Sequence, residues 1–287
     1  MRLRHVGRHA ARTGVAWCAV GRIAGAQVAG IAVDPHMVVL TAARAAGQIT
    51  VLNPHDTRAS FSVDLRFGFA TTDSAGKLMV ELRDGPDSAS AAGWVVAYPA
   101  RFTLRPGAMQ TVRLLAQPPV GTPDGEYWAR LTVHARDDAD ALVADTTEQS
   151  AIRVRIAMET ATVLPVFFRK GNVTTGVTVG TAQASARGSA VDVRAALTRN
   201  GSAAFLGVAH IVVRDANGRT IGAADRQIAV YRSMQPRWTI PVESGARLTG
   251  SSVSIRFATD RRDVPENLLV RAAAIETIIP VIPAATP

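Results

Sequence analysis

The chain of 287 residues is long enough for two domains of ordinary size. Hydrophobic residues make up 47% of it and charged residues 19%, a balance that is typical of a globular protein and excludes an intrinsically disordered one. The formal net charge of +9 would suit nucleic acid, but the arginines are scattered and no Lys/Arg block is interleaved with aromatic residues. The pattern therefore argues against nucleic-acid binding.

The N-terminal segment has the features of an export signal. Residues 1–14 are basic, residues 15–30 are mostly apolar, and residues 24–26 read Ala-Gly-Ala, a small-residue cleavage site. Arg22 lies inside the apolar run, which is atypical of a signal peptide. The alternative is that this segment is an N-terminal tail that does not direct export. We expect residues 1–26 to be a signal peptide and the mature protein to be periplasmic.

Cleavage at that point would remove Cys18, the single cysteine, so no disulfide is expected in the mature chain. After the signal no stretch of eighteen consecutive apolar residues occurs, and no membrane insertion is expected.

From Gly30 onward, the first half predicts short β-strands separated by turn signals. The predicted strands are 30–42 with a break at Asp34-Pro35, 48–52, 60–69, 78–82, 100–104, 109–115 and 126–135. The clearest is 60–69, whose Phe61, Val63, Leu65, Phe67 and Phe69 alternate onto one face. Seven or so such strands at regular spacing are typical of an antiparallel sandwich of immunoglobulin type.

A long alternating stretch, 151–169, follows an acidic loop. Every second residue forms a mostly apolar row, which consists of Val154, Ile156, Met158, Thr160, Thr162, Leu164, Val166 and Phe168. The usual strand has about 5–6 residues, so this one is predicted to run into a second domain and to pair with a partner protein. The alternative is that the row faces the core of its own domain.

The second half, after Lys170-Gly171-Asn172, again predicts strands. They are 173–186, 190–205, a hairpin over 206–231 with its turn at 215–218, then 238–242, 251–258 and 268–282. Asn200-Gly201 is a further hairpin signal. The chain is therefore predicted to be all-β, with two immunoglobulin-like β-sandwich domains joined at an angle, over 27–169 and 170–287.

Little in the sequence points to catalysis. The histidines, which are His5, His9, His36, His55, His134 and His210, show no metal-ligand spacing. Neither a nucleotide-binding loop nor a nucleophile motif is present. Glu126, which follows Asp124-Gly125, is interpreted as turn chemistry. We expect no enzyme activity, no catalytic residue, no cofactor and no metal site.

Four segments, in this order, resemble the periplasmic pilus chaperones of the PapD-like family. They are VDPHMVVLT followed by ITVLNPHD, then ARFTLRPGAMQTVRLL, then DGEYWARLTV, then the alternating strand that ends in VFFR. Together they cover about residues 31–170. The resemblance implies a periplasmic chaperone that lends its long strand to secreted pilus or fimbrial subunits and delivers them for assembly, with an outer-membrane usher as a further partner.

The resemblance also implies roles for individual residues. Arg169 would make a structural ion pair at the hinge between the domains. The side chains lent to the subunit would be those of Val154, Ile156, Met158 and Thr160.

The sequence departs from the family at two positions. Basic residues that would hold a subunit's terminal carboxylate are replaced by Met37 and Pro165, neither of which can pair with a carboxylate. Pro165 is also expected to interrupt any strand ladder, because it lacks a backbone donor. The substitutes nearby in sequence are His36, Arg44 and Lys170. These departures keep open the alternative of a structural or adhesive immunoglobulin-like surface protein.

Overall fold

The computed structural model describes residues 31–137 and 159–283. The first part of the chain forms ten strands. They are β1 (Ala32–Asp34), β2 (Val38–Thr41), β3 (Ala46–Leu52), β4 (Ala59–Thr72), β5 (Leu78–Arg83), β6 (Val95–Tyr98), β7 (Arg101–Leu104), β8 (Met109–Ala116), β9 (Gly125–Asp137) and β10 (Glu159–Lys170).

The second part contributes eight more strands and one 3-10 turn, Glu266–Leu268. The strands are β11 (Thr175–Arg187), β12 (Ala190–Gly201), β13 (Phe205–Arg214), β14 (Thr220–Val230), β15 (Ser233–Met234), β16 (Arg237–Pro241), β17 (Ser252–Ala258) and β18 (Ile275–Ile282).

The first ten strands form a sandwich of two sheets. One sheet has the order β1-β3-β8-β6, and the other has the order β2-β10-β9-β4-β5 with β7 paired to β4. Alternate side chains of facing strands meet between the sheets, as Ile49, Val112 and Leu131 do, all with no exposed surface. The chain passes from one sheet to the other between β1 and β2, at the predicted break at Asp34-Pro35. β1 is the edge strand of the first sheet, and β2 is the edge strand of the second, where it covers only the C-terminal end of β10.

The alternating residues of β4 pack in two separate clusters. The expectation that they form a single row on one face is therefore wrong. Phe61 and Val63 lie in the core of the first sandwich, with Leu65 packed against it. Phe67 and Phe69 lie instead in a second cluster that includes Tyr231 from the other half of the chain. A strand of 14 residues runs past its own core, so its far end packs against a different partner.

The second sandwich is built around β13, β14 and β17 in one layer and β11, β12, β15 and β16 in the other. β18 joins the layers, since it pairs antiparallel with β17 and parallel with β11. Its core is separate from that of the first sandwich and includes Val193, Ile211 and Phe257. The predicted all-β class with two β-sandwich domains is therefore confirmed. Among the described residues, no helix is long and apolar enough to cross a membrane.

Candidate functional site

Strand β10 has one edge that is only partly covered. Along its whole length, from Glu159 to Lys170, it pairs antiparallel with β9. On its other side it pairs with β2, in parallel, and only from Val166 to Arg169. Within the described part of the chain, the edge from Glu159 to Pro165 has no strand beside it.

The direction of the backbone groups along this edge follows from one hydrogen bond. The carbonyl of Arg169 accepts the Ala42 N–H at 3.1 Å, on the β2 side. Because backbone groups alternate along a strand, those of Ala161 and Val163 point to the same side. Neither residue has a ladder partner there among the described residues. This open edge, defined as Glu159–Pro165, can therefore accept another strand.

Pro165 does not interrupt the ladder, contrary to the expectation from sequence. It stands opposite Arg130 in an unbroken register with β9. Its missing N–H would have pointed toward the open edge, not toward β9, because Pro165 shares the parity of Arg169. Proline at this position is compatible with an edge strand.

The side chains of the alternating row have different surroundings. Leu164, Val166 and Phe168 are buried in the core of the first sandwich, so this part of the row belongs to its own domain. Thr160 is half-buried, and Thr162 donates from Oγ1 to the Ile31 carbonyl at 3.4 Å. The other residues expected to be lent, Val154, Ile156 and Met158, lie outside the described residues.

Arg169 lies where the two sandwiches meet. Its Nε donates to Oε2 of Glu126 at 2.7 Å, and its Nη1 donates to the Leu268 carbonyl at 2.6 Å. Glu126 is not a turn residue, as its sequence position suggested, because its side chain is fully buried. Its Oε1 accepts Trp128 Nε1 at 2.9 Å and the backbone N–H of Ala204 at 2.8 Å. Donors from both sandwiches therefore satisfy one buried carboxylate.

An aromatic cluster fills the rest of the joint. The ring of Tyr231, from the second sandwich, stacks on Phe167 with centroids 5.9 Å apart. It also meets Trp128 edge-on at 5.0 Å and Phe69 at 6.4 Å. Burial raises the pKa of the Tyr231 phenol, which keeps it neutral at ordinary pH. The contacts come from β4, β9 and β10, so the joint orients the strand that carries the open edge.

Arginines surround this cluster. Arg232 lies over the Phe69 ring at 4.8 Å and donates to both oxygens of Asp87 at 2.7 Å. Burial alone would raise the pKa of Asp87, but the hydrogen bond from the Ala89 N–H and the pair with Arg232 outweigh it and leave that pKa lowered. Since Asp87 belongs to the first half and Arg232 to the second, this is a further ionic link across the joint.

The residues considered as carboxylate anchors have different surroundings and do not form one site. Met37 packs against the aromatic cluster. Lys170 donates its ammonium to the Thr122 carbonyl and so is already engaged. His36 and Arg44 are exposed.

Two histidines, one in each sandwich, each lie between two carboxylates. The spacing of these residues in the sequence does not predict the contacts. His134 contacts Asp64 at 2.9 Å and Glu159 at 2.8 Å. His210 contacts Asp225 at 2.8 Å and Asp260 at 2.9 Å. Asp64, Glu159 and Asp225 lie on neighbouring strands and Asp260 follows one closely, so the spacing along the chain carries no signal.

Burial alone would lower the pKa of His210, but its hydrogen bonds to Asp225 and Asp260 outweigh this and raise it. Over residues 31–137 and 159–283, no three His, Cys, Asp or Glu side chains are grouped to hold a metal ion.

The fold and the open edge define an all-β protein of two sandwiches with an edge available for strand addition. No family model matches the chain, and no curated protein matches it. It is similar to the solved structure of the YadV chaperone, with 12% identity and a TM-score of 0.44 over 87% of this chain and 98% of that one. The class 5 fimbriae chaperone CfaA is 13% identical, with a TM-score of 0.43 and coverages of 87% and 98%.

A third similar structure is the complex of CsuC and CsuE, a chaperone and tip adhesion subunit from the archaic chaperone-usher Csu pili of Acinetobacter baumannii. It is 12% identical, with a TM-score of 0.43, and the match covers 90% of this chain and all of the other.

Proposed function

We propose that this chain is a periplasmic chaperone of secreted pilus or fimbrial subunits and binds them by β-strand addition along β10. The observation that carries the proposal is the open edge, where the backbone groups of Ala161 and Val163 face away from β9 without a ladder partner in the described chain. An extended segment added there would gain backbone hydrogen bonds whatever its sequence. The ordered sequence segments that resemble pilus chaperones supply the kind of client.

Two features of the described residues support a lent strand. β10 is held rigidly at its C-terminal end, by β2 from Val166 onward and by the joint at Arg169. Its N-terminal end keeps one edge open while β9 supports the other. Donation of the side chains of Val154, Ile156 and Met158 is part of the proposal, as are the usher as a later partner and export by the N-terminal signal.

The alternative is an immunoglobulin-like structural or adhesive module without chaperone activity. The observation that favours it is the burial of Leu164, Val166 and Phe168 in the core of the first sandwich, so three of the eight residues of the row pack within their own domain.

Residue-resolved amide exchange distinguishes the two functions. In the isolated protein, the amides of Thr160 and Thr162, which face β9, should be protected, whereas those of Ala161 and Val163 should exchange freely. After co-expression with the secreted proteins encoded by neighbouring genes, the amides of Ala161 and Val163 should become protected. Protection of all four amides in the isolated monomer would favour the structural module.

A further inference from the structure

A second surface, which lies mainly on the sheet that does not contain β10, has the features of a binding groove. It has a volume of about 1040 Å³ and is lined by residues of β3, β8 and β6 together with Val38 and Val39 of β2. Met37 of the β1–β2 connection and Leu268 of the second sandwich contribute to its wall. We call this surface the β8 groove.

The floor of the β8 groove is apolar and exposed. Val96, Tyr98 and Leu115 retain 55%, 75% and 43% of their surface. Val96 stands directly opposite Leu115 in the ladder between β6 and β8, so their side chains form a continuous patch. Neighbouring residues of β8, such as Leu114, point into the core, as alternation requires. Covering this patch would remove apolar surface from water.

The charge of the β8 groove has one sign. Arg44 and Arg113 line the groove, Arg113 stands between Gln48 and Tyr98 in the ladders, and none of the lining residues is acidic. Among the described residues, neither guanidinium has a side-chain hydrogen bond or an ion pair. Most other arginines near the joint are engaged, as Arg232 is with Asp87. Carboxylates on a partner that covers the floor would complement this charge.

The spacing of side chains along β8 indicates how apolar and acidic residues would be arranged in such a partner. Arg113 and Leu115 are two residues apart on one face, which places their side chains roughly 7 Å apart. An extended peptide that lies along β8 has the same repeat, with every second side chain facing the floor. A leucine or valine over Leu115 then brings an acidic side chain, two residues away, over Arg113.

We propose that the β8 groove binds an extended peptide segment of a partner protein in which an apolar and an acidic residue alternate on one face. Most of the groove lies on the sheet that does not carry the open edge, and the inference does not depend on strand lending. Binding at one surface can therefore be abolished while the other is kept.

The probe is the fluorescein-labelled peptide Gly-Ser-Leu-Ser-Glu-Ser-Leu-Ser-Gly, measured by fluorescence anisotropy with the full chain. Two matched peptides replace the glutamate by lysine or both leucines by serine. The first peptide should bind at least tenfold more tightly than either control, because only it satisfies both the floor and the guanidinium. Its affinity should fall as salt is raised.

Variants of residues on the groove floor test whether the peptide binds there. Arg113→Gln and Leu115→Ser should each weaken binding about five- to tenfold, a change of roughly 1 to 1.4 kcal/mol. Arg105→Gln is the matched control, since Arg105 is an exposed arginine in the turn between β7 and β8. Circular dichroism verifies that each variant is folded.

Three outcomes would overturn the proposal. They are equal affinity for the glutamate and lysine peptides, equal loss in Arg113→Gln and Arg105→Gln, or no binding at millimolar protein. Laurate serves as a competitor, because a fatty acid shares the combination of chain and carboxylate. If laurate binds in the groove with higher affinity than the peptide, the occupant is a lipid and the peptide proposal is wrong.

Discussion

The guanidinium of Arg169 and the carboxylate of Glu126 form an ion pair at 2.7 Å, with 11% and none of their side-chain surfaces exposed. Because Arg169 also donates to Leu268 and Glu126 accepts from Ala204, each partner of the pair contacts the second sandwich. The pair therefore couples the orientation of the two sandwiches to the C-terminal end of β10.

Arg169→Ala should lower the free energy of unfolding by about 3–5 kcal/mol, because it leaves a buried carboxylate without its counter-charge. Glu126→Gln should cost less, since the amide oxygen can still accept hydrogen bonds. The double variant should be more stable than the sum of the two single losses predicts, which urea denaturation can measure. Strict additivity would show that the two side chains are not coupled. Arg105→Ala, at an exposed arginine, is the control and should change little.

Tyr231 is the centre of the aromatic cluster, and its exposed fraction is 2%. Tyr231→Ala should cost about 3–5 kcal/mol through the cavity it leaves. The loss should fall on the joint, so calorimetry should resolve two transitions, whereas we expect one for the native chain. Tyr231→Phe keeps the stacking on Phe167 and should retain the single transition. One cooperative transition in Tyr231→Ala would show that the cluster does not couple the sandwiches.

How far the sequence predicts this structure is clear from two similar turn signals. At Asp215–Gly218, the prediction of a hairpin is confirmed, because Oδ1 of Asp215 accepts the N–H groups of Asn217 and Arg219 at 2.9 Å and β13 pairs with β14. At Asn200-Gly201, the hairpin prediction is wrong. Gly201 has a φ of 92°, but β12 pairs with β11, β15 and β16, and not with β13. A local turn signal identifies a change of direction but not the sheet that the next strand joins.

The same limit applies to Glu126 and to the end of β4. Glu126 follows a turn in sequence, and only the fold brings Arg169 and Ala204 to it. Alternation correctly predicted a strand over 60–69, but Phe67 and Phe69 face the second sandwich, which no property of the strand reveals. β6, from Val95 to Tyr98, is not among the predicted strands.

His210 should make the stability of the second sandwich depend on pH. Its pKa is raised in the folded protein, above an ordinary value of about 6.5, so the folded state binds the proton more tightly than the unfolded state does. Its contribution is therefore fully present below about pH 6.5 and is lost as the pH rises through the folded pKa.

The destabilisation caused by His210→Gln should accordingly be larger at pH 6 than at pH 9. The difference should be about 1 kcal/mol or less, because the carboxylates of Asp225 and Asp260 are largely exposed. Parallel denaturation curves at the two pH values measure it. His36→Gln, at an exposed histidine without an ion pair in the described chain, is the control for the loss of a histidine. A larger loss at pH 9 would contradict the assignment of the charge to His210.

The open edge can be tested by moving a proline along β10. Ala161→Pro removes an N–H that points away from β9, as the natural Pro165 already does, so the unfolding free energy should change by about 1 kcal/mol or less. Thr162→Pro removes an N–H that faces β9 and leaves a carbonyl of that strand without its donor, at a cost of about 1–3 kcal/mol.

Ala161→Pro should weaken the binding of a secreted subunit although it changes the stability of the chain little. Ala161→Pro takes one hydrogen bond from the added strand and should reduce the recovery of the complex severalfold in co-purification, although the protein stays folded. Ala161→Gly keeps the N–H and should bind as the native chain does. If Ala161→Pro and Ala161→Gly recover the same amount of subunit, the subunit does not pair with this edge, and the burial of Leu164, Val166 and Phe168 would then describe a strand that belongs only to its own domain.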